Sequence, residues 1–381
     1  MRIAMVGTRG VPASYGGFET AVEEIGKRLV SRGHDVIVYT RVEDREKAPR
    51  QYLGMQLVPL PAARSKALET LTHTASSAAH VVATSKPDMA FLFNAANAVY
   101  LPALRAKRIP VATHVDGLEW RRTKWGRGGR KFYRVSESLA VRYSDALIAD
   151  AQGIADYYTT EFAATTDLIA YGAPIIPGCD LNHLDDDLRA EEFHVLVARF
   201  EPENHVLEGV SGYVESAAAH PLLVVGGAPF SEEYTQRIQA VADTDPRVRM
   251  LGPVWDQDRL DALYSGALTY LHGHSVGGTN PSLLRAMGAA TATLAYDVSF
   301  NREVLGDDGR FFKRPAELAQ QLNEAEANLA ETIAAGQRLQ RRAEQRYNWD
   351  DVTTKYEALA ARLVAGDSQA GRFSGRRTPR G

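Results

Sequence analysis

The 381-residue chain contains a single cysteine, Cys179, so it cannot form an internal disulfide, which is typical of proteins in a reducing compartment. Neither sign of charge dominates, because 44 basic against 47 acidic residues leave a net charge of −3, and this argues against nucleic acid as a partner. No apolar run reaches the ~20 residues that span a bilayer, and the N-terminus lacks the pattern of a signal peptide. We therefore expect a soluble, cytoplasmic protein.

The composition is that of a globular protein, with 45% hydrophobic residues, and ~150 residues per domain predicts two or three domains. Short apolar runs alternate with helical patterns, which predicts parallel sheets covered by helices on both faces. A long helical stretch over 315–345 and a last helix from Trp349 follow the second set of runs. The predicted strands are 3–6, 36–39, 55–59, 89–93, 111–113, 146–149 and 168–170, then 193–198, 222–225, 248–251, 268–271 and 291–295.

A segment rich in proline, glycine and aspartate, without periodicity, divides the pattern into two halves. We predict an α/β protein in which two doubly wound, Rossmann-like domains, residues 1–172 and 191–347, face a central cleft. Residues 173–190 are the predicted linker. The last helix, 348–366, is followed by a tail, 367–381, that is predicted to be disordered.

Ligands of doubly wound sheets bind at the carboxyl ends of the strands, so the loops there are the candidates for a site. The loop over residues 7–17, after the first predicted strand, is rich in glycine and leads into a helix. Such a loop lets backbone amides approach a phosphate. The pattern is neither a dinucleotide fingerprint nor a P-loop, and a turn made flexible by glycine explains it about equally well.

Two features of the second half also suit a phosphate. Residues 277–282 read Gly-Gly-Thr-Asn-Pro-Ser, in which Asn280 is a predicted helix N-cap and Pro281 the first helical residue. Free amides ahead of that helix would form an anion cradle, and a capped core helix is the alternative. Arg199, directly after a predicted strand, can hold two phosphate oxygens, with a salt bridge to Glu201 or Glu203 as the alternative.

Two segments of the first half suit sugars and anionic surfaces. Residues 114–120 place a histidine, two acids and a tryptophan on one loop, which favours sugar binding, although a lone histidine is more often structural. Residues 121–134 hold seven cations and no acid, interleaved with aromatic residues. This segment could rest on an anionic membrane, at ~1 kcal/mol per cation; a solvated basic loop is a near-equal alternative.

Metal ligands in a convincing arrangement are missing from the sequence. The run Asp185-Asp186-Asp187 resembles a metal-binding motif but stands in the predicted linker without other ligands. We interpret it as a solvated acidic run. No metal or other cofactor is therefore expected.

Together these loops resemble the GT-B glycosyltransferases, and more narrowly the family 4, retaining, rhamnosyltransferase-like branch of bacterial polysaccharide assembly. The resemblance extends from Met1 to the helix after Trp349 and rests on the order of four motifs. It implies transfer of rhamnose or another hexose, with retention, from a nucleotide-sugar donor to a saccharide or polyprenyl-linked acceptor, at the cytoplasmic face of a membrane. The motifs are Tyr-Gly-Gly-Phe-Glu-Thr at 15–20, and the segments 114–120, 198–204 and 272–282.

The resemblance also implies roles for single residues. It places Gly16 and Gly17 against the donor diphosphate, His114 near the donor sugar and Arg199 on the diphosphate. The predicted catalytic residues are His114, Asp116 and Arg199. The predicted donor-binding residues are Gly16, Gly17, Asn204, His205, His274, Gly277, Gly278, Thr279, Asn280 and Arg285. The predicted acceptor-binding residues are Tyr15, Glu19, Glu119 and Trp120.

Three positions depart from the wider family. Gly277 and Arg285 stand where most members have two glutamates, the second of which holds the ribose, and His205 stands where a phosphate-binding lysine is usual. These departures leave open a catalytically inactive nucleotide-sugar-binding protein. A nucleotide-sugar 2-epimerase, which can share the architecture, is a further alternative, while the missing fingerprint makes a nicotinamide-dependent oxidoreductase the weakest.

Overall fold

The computed structural model describes residues 1–13, 16–42, 48–63, 66–115, 118–122, 125–176, 178, 180–227 and 232–378. The chain forms two compact units. Unit 1 comprises Met1–Tyr171 together with Trp349–Gly381, and unit 2 comprises Gly172–Asn348. Among the described residues, no helix combines the length and the apolar character that crossing a membrane requires.

The described strands of unit 1 form one sheet. They are β1 (Arg2–Val6), β2 (Asp35–Arg41), β3 (Gln51–Tyr52), β4 (Met55–Leu60), β5 (Met89–Phe93), β6 (Val111–His114), β7 (Ala146–Ala149) and β8 (Asp167–Leu168). Their order is β3-β4-β2-β1-β5-β6-β7-β8, and neighbours are parallel except for the antiparallel pair β3–β4. The central strands are continuous apolar runs because both faces of the sheet are covered.

Helices connect these strands and cover the sheet. In α1, the residues Ala21, Val22, Ile25 and Leu29 are buried, as their helical spacing predicts. The helices of this part of unit 1 are α1 (Gly17–Ser31), α2 (Lys66–His80), α3 (Leu101–Ala106), α4 (Arg127–Tyr143) and α5 (Gln152–Phe162).

Unit 2 repeats the architecture with a parallel sheet. Its described strands are β9 (His194–Arg199), β10 (Leu222–Gly227), β11 (Val248–Gly252), β12 (Thr269–His272), β13 (Ala292–Tyr296) and β14 (Arg310–Phe312), in the order β11-β10-β9-β12-β13-β14. The core includes Leu196, Val224, Leu271 and Leu294, one from each of four neighbouring strands. The prediction of α/β architecture with two doubly wound domains is therefore confirmed.

The predicted long helix of unit 2 is broken in two. The chain leaves the helical conformation at Asn328, where φ is −128° and ψ is 56°, and the Asn328 side chain donates a hydrogen bond to the Glu324 carbonyl. Local capping by an asparagine thus ends one helix before the next begins. The helices of unit 2 are α6 (Val206–Val214), α7 (Glu232–Ala242), α8 (Gln257–Gly266), α9 (Pro281–Gly288), α10 (Ser299–Leu305), α11 (Pro315–Ala327) and α12 (Leu329–Arg346).

The last helix, α13 (Trp349–Val364), belongs to unit 1. Its Tyr356 is 2% exposed, and the ring centroid lies 5.0 Å from that of Phe91 on β5. Charged contacts join the same helix to the end of α1, where Arg32 donates to Glu357 at 2.8 Å. Unit 1 is therefore built from two stretches of chain that unit 2 separates.

The segment 173–190, which the sequence predicts to be a linker, is grouped with unit 2. The Ala173 amide donates to the Tyr347 carbonyl at 2.7 Å, and the Ile176 amide donates to the Gly288 carbonyl at 2.9 Å. The acidic run is not merely solvated, because Asp185 accepts from Arg259 at 3.0 Å and Asp187 pairs with Arg249. Partners distant in the sequence thus fix this segment.

The tail also differs from its prediction. Low apolar content predicts disorder from residue 367, whereas residues 367–378 lie against unit 1. The Gln369 amide donates to the Asp145 carbonyl at 2.9 Å and the Gly371 amide to the Arg142 carbonyl at 3.0 Å. Backbone hydrogen bonds of this kind leave no signal in composition. Residues 379–381 lie outside the described residues.

Candidate active site

The glycine loop after β1 needs its glycines for conformation and for space. Gly7, Gly10 and Gly16 have φ values of +101°, +97° and +126°, which side chains other than glycine rarely adopt. A Cβ on Gly7 would lie 2.4 Å from the Phe93 carbonyl oxygen. Gly16 is the N-cap of α1, and Gly17 is the first residue of that helix. The predicted acceptor residue Tyr15 lies outside the described residues.

Two glutamates of α1 hold this loop. Glu19 Oε1 accepts the Arg9 amide hydrogen at 3.0 Å, and Glu23 Oε2 accepts the Ala13 amide hydrogen at 2.7 Å. Glu19 is a predicted acceptor-binding residue, and the structure gives it a role in shaping the loop. Glu23 was not among the residues that the motifs indicated, since its partner lies ten positions earlier in a loop without periodicity.

His114, the last residue of β6, lies in a box of aromatic rings. Its ring is nearly parallel to those of Phe93, with centroids 6.0 Å apart, and Tyr171, at 5.6 Å, while Phe18 meets it edge-on at 5.1 Å. Burial lowers the pKa of His114 to about 3, so the imidazole is neutral at pH 7. Its two ring nitrogens have no hydrogen-bond partner among the described residues. Such buried, unsatisfied atoms are rare, and a neutral imidazole could both donate to and accept from a ligand hydroxyl.

The loop that follows His114 engages the basic segment. Asp116 lies outside the described residues. Glu119 pairs with Arg122 at 2.5 Å, with both side chains largely buried. The Trp120 ring centroid lies 5.3 Å from the guanidinium carbons of both Arg121 and Arg134. Two predicted acceptor residues are therefore occupied by arginines of the neighbouring segment.

The basic segment presents an exposed set of cations at the start of α4. Arg122 is paired with Glu119, and Lys124 lies outside the described residues. The rings of Trp125 and Tyr133 contact each other at 5.1 Å. Cations thus remain at the surface beside half-buried aromatic rings. The exposed ones are Arg121, Arg127, Arg130 and Lys131.

In unit 2, Arg199 is the last residue of β9 and its side chain is 41% exposed. One of its nitrogens lies 3.4 Å from Glu201 Oε2, so the salt bridge that the sequence left open is present. A planar guanidinium has five donors, and this one long contact leaves most of them available. The Asn204 side chain donates to the Arg199 carbonyl at 2.8 Å and so ties the following turn to the strand end.

Several predicted donor-binding residues are brought together where the loops after β9 and β12 meet. The carboxamide oxygen of Asn204 lies 2.7 Å from His274 Nδ1, and His205 Nδ1 lies 2.9 Å from the Gly273 carbonyl oxygen. The His205 ring is stacked on Tyr296 at 3.7 Å. Since the Asn204 amide nitrogen already donates to Arg199, its oxygen accepts from His274, which assigns the proton to Nδ1.

The loop 277–280 leads into α9 with the predicted capping. Asn280 is the N-cap, and its side-chain oxygen accepts the Ser282 amide hydrogen at 2.9 Å and the Ser282 hydroxyl hydrogen at 2.7 Å. Behind it, the buried Tyr270 hydroxyl lies 3.0 Å from Ser282 Oγ. Gly277 has a φ of +141°, which requires glycine. Gly278 and Thr279 follow it in the loop, so the four predicted residues precede a helix N-terminus that favours an anion.

Arg285 is held by α8. Its guanidinium pairs with Asp261 and donates to Gln257 Oε1 at 3.0 Å. Burial raises the pKa of Asp261 and Arg285 opposes that rise. This arginine, which departs from the glutamate that the resemblance implies, therefore has a structural partner within unit 2.

His272, the first residue of the motif 272–282 but not a predicted site residue, ends β12 directly before the loop. Its Nδ1 lies 3.0 Å from the Tyr270 hydroxyl, and its Nε2 has no partner among the described residues. Burial lowers the pKa of His272 to about 3. Its position at the carboxyl end of a central strand was the signal that could have found it.

Comparison with known families defines the class of protein. Residues 16–172 match the family described as "Glycosyl transferase 4-like domain", and residues 195–328 match the one described as "Glycosyl transferases group 1". The chain therefore belongs to the glycosyltransferases with the GT-B fold. No curated protein sequence matches it.

Solved structures share this fold at low identity. Sucrose-phosphate synthase from Thermosynechococcus elongatus has a TM-score of 0.80 and 18% identity over 96% of this chain and 99% of that one. Anabaena Alr3699/HepE in complex with UDP has a TM-score of 0.70 and 17% identity over 95% and 100%. It has also been solved with UDP-glucose. A glycosyltransferase from Rickettsia africae has a TM-score of 0.70 and 12% identity over 96% and 99%.

Proposed function

We propose that this glycosyltransferase uses a nucleoside-diphosphate sugar as its donor and that unit 2 holds the donor diphosphate. The observation that carries the proposal is the grouping of Arg199, Asn204 and His274 around the loop that leads to α9. A half-exposed guanidinium and a helix N-terminus both favour a diphosphate. The structural similarity to HepE, solved with UDP and with UDP-glucose, supports this donor class.

The chemistry follows from where charge develops. Cleavage of the bond between the sugar carbon and the phosphate oxygen leaves an oxocarbenium-like carbon and added negative charge on the leaving diphosphate. In the proposal, Arg199 and the amides of Gly278, Thr279 and Asn280 stabilise that charge without reorganising, which is usually a large catalytic term. His114, being neutral, orients sugar hydroxyls rather than carrying a charge. Asp116 is proposed to share that role.

Retention, the donor sugar and the absence of a metal are the finer parts of the proposal. The acceptor hydroxyl attacks on the same face, its oxygen bonds to the sugar carbon, and its proton goes to an oxygen of the leaving diphosphate. The fixed positive charge of Arg199 and of a helix N-terminus stabilises the leaving diphosphate, as a divalent ion does in metal-dependent enzymes. The resemblance to the rhamnosyltransferase-like branch supports rhamnose or another hexose as the donor sugar.

Replacing Arg199 tests the site. We expect Arg199→Ala to lower transfer by ~10²–10³, the scale of losing one preorganised donor. Arg249→Ala is the matched control, because Arg249 belongs to the same unit and its side chain is also 41% exposed. Transfer is measured in EDTA with a panel of nucleotide sugars, and the binding of UDP, GDP and dTDP by calorimetry. Wild-type turnover by Arg199→Ala would contradict the assignment of Arg199 to the donor site.

The same measurements separate the alternatives. A wild-type protein that binds a nucleotide sugar but transfers nothing to any acceptor would be the non-catalytic binding protein. A changed sugar without an acceptor would indicate a 2-epimerase. Loss of transfer in EDTA, restored by a divalent ion, would contradict metal independence, and inversion at the anomeric carbon by NMR would contradict retention.

We also propose that the exposed cations of α4 meet an anionic membrane, where a lipid-linked acceptor would lie. Arg130→Ala/Lys131→Ala should weaken co-sedimentation with anionic vesicles by roughly 30-fold, since each of the two cations contributes ~1 kcal/mol. The control is Lys107→Ala/Lys355→Ala, which removes two exposed cations elsewhere in unit 1. Equal binding of the wild type to anionic and neutral vesicles would contradict the proposal.

A further inference from the structure

A pair of acids lies between α4 and α5, apart from the residues assigned to sugar transfer. The side chain of Glu137 on α4 is 5% exposed and that of Glu161 on α5 is 15% exposed. The hydroxyl of Tyr157 donates to Glu137 Oε2 at 2.9 Å. Two carboxylates removed from water in this way need a cation, because an unpaired buried charge is strongly destabilising.

The guanidinium of Arg377 fills this position. Its Nη2 donates to Glu137 at 2.5 Å, and its Nη1 donates to Glu161 at 2.9 Å and to the Tyr157 hydroxyl at 2.8 Å. Its central carbon lies 4.6 Å from the ring centroid of Phe162. A flat cation contacted along two edges and on one face fits a guanidinium, whereas the compact ammonium of lysine cannot match that pattern.

The backbone around Arg377 is held in register with the pocket. The Thr378 amide donates to the Glu161 carbonyl at 2.8 Å, and the Thr378 hydroxyl donates to the Thr160 carbonyl at 2.6 Å. Gly375 has a φ of +69°, and a Cβ there would lie 2.3 Å from the Ser138 carbonyl oxygen. Residues 375–378, with the sequence Gly-x-Arg-Thr, therefore contact α4 and α5 through both their side chains and their backbone.

The residues of the segment 372–378 differ in their burial. Gly375 is buried and Arg377 is half-buried, whereas Arg372, Ser374 and Arg376 are exposed. Within this segment Arg377 is the charged side chain that enters a pocket, and that pocket is formed by residues of α4 and α5. A ligand held in this way can be exchanged without unfolding the elements that bind it.

We propose that Glu137, Tyr157, Glu161 and Phe162 form a peptide-binding site of unit 1 that recognises an arginine in a Gly-x-Arg-Thr context, and that the chain's own segment 372–378 occupies it as an exchangeable ligand. The pocket is open to an equivalent arginine peptide whenever the tail is displaced. The proposal is independent of the proposed transfer reaction, since it involves none of the residues assigned to donor or acceptor.

The test uses the full chain and a fluorescein-labelled peptide of residues 371–378. We expect the peptide to bind Arg377→Ala at least ten-fold more tightly than the wild type, whose pocket is filled. Arg376→Ala, which removes the exposed neighbouring arginine, is the matched control and should bind as the wild type does. A peptide with lysine at position 377 should bind Arg377→Ala at least ten-fold more weakly, as should the normal peptide when Glu137→Gln is added.

Equal binding of the arginine and lysine peptides, or no gain in Arg377→Ala, would overturn the proposal. Because Arg377→Ala could impair folding, its circular dichroism is compared with that of the wild type. Hydrogen exchange on the wild type gives a second measurement that needs no variant. N-acetyl-arginine amide should speed exchange of residues 375–378, N-acetyl-lysine amide at the same concentration should not, and identical effects of the two would also overturn it.

Discussion

Burial sets the charge of several histidines in this chain. Desolvation lowers the pKa of His73 to about 4, with the nearby Arg41 adding to the effect, and lowers the pKa values of His114 and His272 to about 3. In the unfolded chain these groups return to about 6.5. As the pH falls from 6.5 towards 3, these histidines therefore bind protons in the unfolded state but not in the folded state. The part of the unfolding free energy that depends on their being neutral is present above pH 6.5 and is lost across that range.

Replacing His114 with phenylalanine tests this at one residue. Phenylalanine suits a pocket lined by Phe18, Phe93 and Tyr171 and has no proton to bind. We expect the loss of unfolding free energy between pH 6 and pH 4.5 to be smaller in His114→Phe, by up to ~1.4 kcal/mol per pH unit. Urea denaturation of the full chain at each pH gives the measurement. A wild-type slope in His114→Phe would contradict the assigned burial.

At the scale of elements, two helices of unit 2 have comparable N-caps but different proposed roles. Asn280 caps α9 at the loop assigned to the donor, and Asp256 caps α8 by accepting from Asp258 and Arg259 amides at 3.0 and 3.2 Å. Each cap satisfies amides that would otherwise lack partners. Only the α9 cap also orients a loop that is proposed to contact phosphate.

Replacing each cap with alanine should therefore separate stability from function. Both Asn280→Ala and Asp256→Ala should cost ~1 kcal/mol of unfolding free energy. Only Asn280→Ala should weaken UDP binding ten-fold or more in calorimetry, because it releases the phosphate loop. Parallel losses of binding in both variants would show that the effect comes from stability, and retained binding in Asn280→Ala would remove this loop from the donor site.

The elements that the sequence predicts are those with a strong local pattern. Buried strands such as β5 and the cap of α9 follow from apolar runs and from the Asn-Pro pair. The strands β3, of two residues, and β14, of three residues, are too short for such a pattern. The aromatic box of His114 could not be predicted, because Phe18 and Tyr171 come from distant parts of the chain and only the folded sheet brings them together.

At the scale of the whole molecule, unit 1 is completed by a helix that follows unit 2 in the sequence. Residues 1–171 alone would expose the face of β5 that Tyr356 covers. We expect that fragment to aggregate, as exposed apolar surface favours. A permuted chain in which residues 349–378 precede residues 1–171 through a flexible linker should be soluble and monomeric in size-exclusion chromatography. Equal solubility of both chains would show that α13 is dispensable, and a scrambled 349–378 segment is the control.

This split arrangement has a consequence for how the protein is made. A ribosome delivers the first 171 residues and then all of unit 2 before the capping helix leaves the exit tunnel. At about 5–20 residues per second, that delay amounts to roughly 10–40 s. During that interval unit 1 exposes the apolar surface of β5 that α13 later covers, while unit 2 can already form its own core. Unit 2 can thus be completed before unit 1, although most residues of unit 1 are synthesised first.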